Sequence, residues 1–112
     1  FGVVSSSWRW YVEHCLRELG MYEDAAVIVT GSDGLPLKPA PAPYQAAARV
    51  FRPAPPGAVL AVEDSGSGVR SAVAAGLACA AVYNPDSGAQ DLSPARWRLN
   101  SLYELPALLD GN

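Results

Sequence analysis

The sequence predicts an α/β fold: a three-layer arrangement with a mainly parallel sheet and helices on both faces. Three observations predict it. Four short stretches are continuously apolar, segments of helical period alternate with them, and loops rich in Gly, Ser and Asp follow the apolar stretches. Strands that are apolar throughout are those covered on both faces, which is the condition of a parallel sheet in an α/β protein. With 112 residues, half of them hydrophobic, the chain has the material for about one domain and reads as one unit or as part of one. That composition excludes a disordered chain.

The elements follow in order. Gly2 to Ser5 reads as a strand running into Ser5-Ser6-Ser7. Trp8, Val12, Cys15, Leu16 and Leu19 then recur at helical spacing, with a Ser cap expected before them and Gly20 after. Ala25 to Thr30 is a buried strand ending in the turn Gly31-Ser32-Asp33-Gly34. Pro43 starts a helix with Tyr44, Ala47, Ala48 and Phe51 on one face, and Pro53-Ala54-Pro55-Pro56-Gly57 ends it. Ala58 to Val62 is a third strand, followed by Glu63-Asp64-Ser65-Gly66-Ser67-Gly68 and a helix carrying Val69, Ala72 and Val73 up to Gly76. Ala78 to Tyr83 is a fourth strand, and Arg96 and Arg98 flank Trp97 in a late loop or short strand. Near the end, Ser101 and Glu104 form a capping-box pattern, while Pro106 sits where it would disturb that helix, whose start is left open.

Charge and composition exclude several functions. The formal net charge is −3, and no basic run is present to bind a nucleic-acid backbone. The longest strongly apolar stretch without a charge, Ala72 to Tyr83, is well short of the ~20 residues of a membrane span. No signal-peptide pattern is visible. Cys15 and Cys79 lie in apolar segments, as reduced core thiols of a cytoplasmic protein do. One His and two Cys do not make a zinc site. His14 is expected to face solvent. Trp8, Trp10 and Tyr11 are expected to pack in the core or against a neighbouring domain rather than to stack on a base. The chain starts at Phe1 and its only Met is Met21, so a processed product or a fragment is expected.

Ligands of an open parallel sheet bind beyond the carboxyl ends of the strands, and the polar residues of this chain gather there. Glu63 and Asp64 are adjacent carboxylates at a strand end, and hard oxygen ligands of this kind suit Mg²⁺. A solvated acidic turn is the plain alternative, but the position between a buried strand and a Gly/Ser helix start favours the ligand reading. Ser5, at a strand-to-helix turn, offers a hydroxyl and nearby backbone N–H groups to a phosphate; Ser6 and Ser7 share the turn, and either could be a simple helix cap. Lys38, the sole lysine among eight basic residues, follows the second loop closely enough to fold back over the same edge and supply a fixed positive charge. Gly66-Ser67-Gly68-Val69-Arg70-Ser71 approximates a dinucleotide fingerprint, with Asp86 at about the ribose-binding distance. Ser71 replaces its third glycine, however, and Glu63-Asp64 would set negative charge beside a pyrophosphate.

Taken together, Val3-Val4-Ser5-Ser6-Ser7, Leu37-Lys38-Pro39-Ala40-Pro41 and Val62-Glu63-Asp64-Ser65-Gly66-Ser67-Gly68 with Ala74-Ala75-Gly76 resemble the second, third and fourth motifs of the haloacid dehalogenase (HAD) superfamily, in its phosphatase and β-phosphoglucomutase-like branch. The resemblance implies a Rossmann-like core over residues 1–112, with Ser5 and Ser6 on the phosphate, Lys38 stabilising phosphoryl group and nucleophile, and Asp64, supported by Glu63, on Mg²⁺. It implies attack by an Asp on a phosphomonoester, through an aspartyl-phosphate resolved by water or a second hydroxyl. A small phosphorylated metabolite is the implied partner, without nucleic acid or membrane.

The departures are specific. The family's first motif, Asp-x-Asp, does not occur in these residues, Ala42 stands where Asp often follows Lys-Pro-x-Pro, and Leu37 stands where Gly or Arg is common. The chain therefore resembles the C-terminal half of such an enzyme, without nucleophile or cap, and is expected to be inactive and marginally stable alone. Family topology sets the missing strand between the Val3 and Ala58 strands. Two alternatives stand beside the enzyme: a non-catalytic phosphate- or metal-binding module keeping Ser5, Lys38 and Asp64, and, more weakly, a dinucleotide-binding domain using Gly66 and Gly68.

Overall fold

A computed structural model describes residues 1–55 and 58–110. Its strands are β1 (Gly2–Val4), β2 (Val27–Val29), β3 (Leu60–Glu63), β4 (Ala78–Val82) and β5 (Trp97–Leu99), and its helices are α1 (Arg9–Glu18), α2 (Ala42–Arg49), α3 (Gly66–Ala74) and α4 (Leu105–Asp110). Every pairing is parallel: β1 with β2, β3 with β4, and β4 with β5. The late segment around Trp97 is thus a fifth strand. Pro56 and Gly57, the end of the expected Pro-rich helix stop, lie outside the described residues.

β4 explains why the sheet needs cover on both sides. Cys79 and Ala81 point to one face and Ala80 to the other, yet all three are fully buried. Small side chains let α3 settle close against this strand, and Tyr44, Ala61, Val69, Ala72, Cys79, Ala81 and Ala95 form one core cluster. α2 reaches across, packing against β1, β2 and α3. Ser71, fully buried on α3, donates its hydroxyl to the Ala40 carbonyl at 2.7 Å. That bond ties the Lys38–Pro41 loop to the helix behind the site.

The expected strands form two sheets rather than one. Among the described residues, β1–β2 and β3–β4–β5 do not pair with each other. Between their facing edges runs a trough of about 680 Å³, walled by Gly2–Val4 on one side, Leu60–Val62 on the other, and Leu16 and Tyr44. The trough lies where the resemblance sets a further strand.

Two expectations about α1 need correction. The serines before it do not cap it: its N-cap is Trp8, without a side-chain bond, and Ser32 from the loop after β2 accepts the Arg9 N–H at 3.0 Å instead. The cap comes from a neighbouring loop because Ser5 is occupied within its own turn, accepting the Ser7 N–H at 3.1 Å. Nor do the aromatic residues enter the core. Val12 and Leu16 are buried, whereas Trp8 and Trp10 are 71% and 67% exposed and Tyr11 half exposed. Among the apolar residues of α1 only the i, i+4 pair Val12 and Leu16 is buried, so the apolar face is narrower than its periodicity implied. His14 is exposed, as expected.

At the C-terminal end the capping box is present, with Ser101 and Glu104 satisfying each other's backbone N–H groups around the short 3₁₀ turn Leu102–Glu104. Pro106 then falls in the first turn of α4, where its missing N–H breaks no helical bond.

Ser71→Ala is expected to cost about 0.5–1.5 kcal/mol, because the part-buried Ala40 carbonyl loses its hydroxyl donor; urea unfolding of the variant measures it.

Candidate functional site

The site is assembled at the carboxyl ends of β1 and β3. Beyond β1, the Ser5 N–H continues the ladder to the Val29 carbonyl at 3.0 Å, and the Ser5 Oγ accepts from the Ser7 N–H. With its oxygen so engaged, the hydroxyl still has its proton to donate. Gly31 passes under this turn: its N–H bonds the Ser7 carbonyl at 2.8 Å, and a Cβ there would sit 2.3 Å from the Ser6 carbonyl oxygen. Only glycine fits such an approach.

An ionic brace holds the two loops together. The Arg9 guanidinium donates to the Ile28 carbonyl at 2.8 Å, to both oxygens of Asp33 at 3.0–3.1 Å and to Glu13 at 3.3 Å. Asp33 also accepts the Thr30 N–H at 2.8 Å. The Thr30 amide first, and Arg9 after it, hold the Asp33 carboxyl below the usual carboxylate range.

Lys38 folds back from the loop after β2 to the end of β1. Its Nζ donates to the Val4 carbonyl at 3.0 Å and to Glu63 Oε2 at 2.6 Å, and it lies 5.4 Å from the centre of the Tyr44 ring. The pair is buried, with side-chain exposures of 10% for Lys38 and 7% for Glu63. Tyr44 donates its hydroxyl to the same Glu63 oxygen at 2.5 Å. Burial, and then the Glu63 charge, push the Tyr44 phenol well above its ordinary range, so it remains a donor. The same two causes raise the Cys79 thiol to about 11, which makes it an inert core group.

Glu63 and Asp64 diverge as neighbours on a strand must. Glu63 turns inward to Lys38 and Tyr44, while Asp64 is exposed and accepts from Asn84 Nδ2 at 2.8 Å. After them Ser65 caps α3 by accepting the Gly68 N–H, and Gln90 accepts the Gly66 N–H at 2.8 Å. Gly68 lies against Glu63: a Cβ there would stand 2.0 Å from Oε1.

Ser5, Ser6, Lys38, Glu63 and Asp64 all line one cavity of about 890 Å³. The donor set is compatible with Mg²⁺, which takes one or two carboxylates and completes its shell with water and phosphate oxygens. Asp64 at the cavity rim meets that need, with Glu63 behind it. No cluster of three or more His, Cys, Asp or Glu occurs among the described residues.

Sequence reasoning missed Tyr44 and Arg9, and placed Gly31 and Asn84 only within the polar loops at the strand ends, without a role for either. Tyr44 sat on a helical apolar face and was indistinguishable from core; its six-residue distance from Lys38 was the one available signal. Gly68 was read as part of the Val62–Gly68 motif and of a nucleotide fingerprint, but not as the residue that makes room for the Glu63 carboxylate.

Parallel α/β pairing with acidic and basic groups at the strand ends is an arrangement this chain shares with Rossmann-like phosphatases of known structure. The chain belongs to the haloacid dehalogenase-like hydrolase family, whose model matches residues 1–82. It is 37% identical over 112 residues to the putative phosphatase YhcW of Bacillus subtilis, covering 97% of this chain and 50% of that protein. The crystal structure of CbbY from Rhodobacter sphaeroides in complex with phosphate superposes with a TM-score of 0.84 at 31% identity, over 93% of this chain and 47% of that one. A mutant of the same protein in complex with xylulose-(1,5)bisphosphate gives 0.83, again at 31% identity over 93% and 47% of the two chains. A HAD phosphatase from Thermococcus onnurineus gives 0.72 at 26% identity, over 99% and 50%. The chain thus spans about half the length of these relatives.

Gly68→Ala is expected to push Glu63 off Lys38 and lower stability by about 1–3 kcal/mol through overpacking, read by denaturant unfolding. A second outcome concerns acid. Because the folded-state pKa of Asp33 is depressed, its contribution is present above the unfolded carboxylate value of about 3.9 and lost as pH falls through the folded value. Asp33→Asn is therefore expected to flatten the loss of stability below about pH 4, measured by thermal melts against pH.

Proposed function

We propose that this chain forms the phosphate-site half of a Mg²⁺-dependent phosphomonoester hydrolase or phosphomutase acting on a small phosphorylated metabolite. One observation carries the reading: Ser5, Lys38 and Asp64, from three separate loops, open onto one cavity at the strand ends. The relatives support the substrate class, since one is crystallised with phosphate and with a sugar bisphosphate.

In this reading the Ser5 hydroxyl and the Ser6 end of the turn bind phosphoryl oxygens. Lys38 has three donors; two are given to the Val4 carbonyl and Glu63, and the third is left for a phosphoryl oxygen in the cavity that Lys38 lines. Fixed in place, it stabilises charge as it shifts during transfer, an effect worth about 10²–10³ in rate. Asp64, with Glu63 in support, would hold Mg²⁺, whose charge screens phosphate against an attacking carboxylate. That carboxylate, which would carry the aspartyl-phosphate, is not supplied by an Asp-x-Asp within these 112 residues. They are therefore inactive alone and turn over only when completed. Two free thiols suit a reducing compartment such as the cytoplasm.

The test is hydrolysis of an aryl phosphate. The complete protein is expected to turn over with Mg²⁺ and to stop with EDTA, whereas the 112 residues alone are expected to give none. Phosphate binding without turnover by the complete protein would instead favour a non-catalytic module. Lys38→Met is expected to lower turnover at least a hundredfold. Because it also strands a buried carboxylate, at about 3–5 kcal/mol, Glu63→Gln in the same background should recover stability but not turnover. Activity within threefold of wild type in Lys38→Met would remove Lys38 from the mechanism.

A further inference from the structure

We infer that Tyr44 is a positioning residue for the phosphoryl-binding lysine: it fixes Lys38 by locking the Glu63 carboxylate that Lys38 pairs with. The inference rests on the function proposed above and adds a residue to it. A lysine ammonium rides on a flexible four-carbon stem and is expensive to hold in one place. Lys38 is nonetheless held on three sides, by the Val4 carbonyl, the Glu63 carboxylate and the Tyr44 ring. Two of those three depend on Tyr44. Its ring lies under the ammonium, and its hydroxyl donates to the very oxygen, Glu63 Oε2, that receives Lys38.

The surroundings leave Glu63 little else to rely on. Gly68 gives room for the carboxylate but offers no side chain to hold it, and among the described residues the side-chain donors to Glu63 Oε2 are Lys38 and Tyr44. Without the phenol, the carboxylate and the lysine would be free to rotate as a pair towards the 890 Å³ cavity that both line. Tyr44 itself is anchored: it is buried in the core cluster and sits on the first turn of α2, and the loop before it is pinned to α3 by Ser71. A rigid element thus reaches the lysine through one hydroxyl and one ring face, a means of preorganising charge before substrate arrives.

The test is Tyr44→Phe in the complete protein, which keeps the ring and deletes the hydroxyl. Two readouts are taken. Limited acetylation with acetic anhydride, quantified on the Lys38 peptide by mass spectrometry, reports how firmly the amine is held and needs no activity. Steady-state kinetics with an aryl phosphate report its consequence. Lys38 is expected to acetylate at least fivefold faster in Tyr44→Phe, with kcat down about tenfold and KM within twofold. Tyr44→Leu, lacking ring and hydroxyl, is expected to raise acetylation at least as much and serves where the Phe variant does not fold. Unchanged acetylation in the folded variant, or faster acetylation with unchanged kcat, overturns the inference. A wild-type protein with no phosphatase turnover would instead sink the proposed function, leaving the acetylation result to judge whether Tyr44 holds Lys38.

Discussion

The buried ion pair between Lys38 and Glu63 is the interaction on which the rest of the structure turns. Its two residues lie on opposite sides of a gap: Lys38 also bonds the end of β1, and Glu63 is the last residue of β3, yet β1 and β3 share no ladder. The pair therefore bridges two sheets that the backbone leaves separate. Burying two charges costs several kcal/mol per ion before attraction repays it, so each must find further partners. Glu63 takes a phenol, and Lys38 takes a carbonyl and a ring face. These secondary contacts dictate which residues surround the site, from the glycine at position 68 to the tyrosine at the start of α2.

The same constraint divides the work of the two adjacent acids. Successive side chains of a strand point to opposite faces, so Glu63 and Asp64 cannot both turn inward. One neutralises the lysine and the other stays at the rim, held by Asn84. Adjacent carboxylates that would repel in solution are thereby assigned different environments, and the cavity keeps one exposed acid opposite one partly spent base.

The parallel α/β class, its first four strands and the three loops that meet at the cavity were legible because they depend on local signals: apolar runs, glycine turns and helical period. Position-specific patterns around Ser5, Lys38 and Asp64 added the family. Less visible were features that depend on which distant residues meet. Nothing local says that Ser32 caps α1 in place of the preceding serines, or that Arg9 spans 24 residues to Asp33. Trp8 and Trp10 were expected in the core or against a neighbouring domain; they are exposed, which removes the first of these, while Val12 and Leu16 are the residues of α1 that are buried. β5 was ambiguous because Arg96 and Arg98 break its apolar run, as an edge strand allows.

Gly68 shows how one pattern yields to another chemistry. In a nucleotide fingerprint, a glycine opening a helix lets the backbone approach a pyrophosphate, and the ligand's charge meets the helix N-terminus. Here the space that a side chain would occupy is filled by the carboxylate of Glu63, 2.0 Å from where a Cβ would stand. The negative charge beside this helix start is thus already present and belongs to the protein. A pyrophosphate brought to the same place would meet that carboxylate and Asp64 together. A glycine permits close approach in both cases; what approaches decides whether the loop binds a dinucleotide or makes room for the carboxylate that pairs with Lys38.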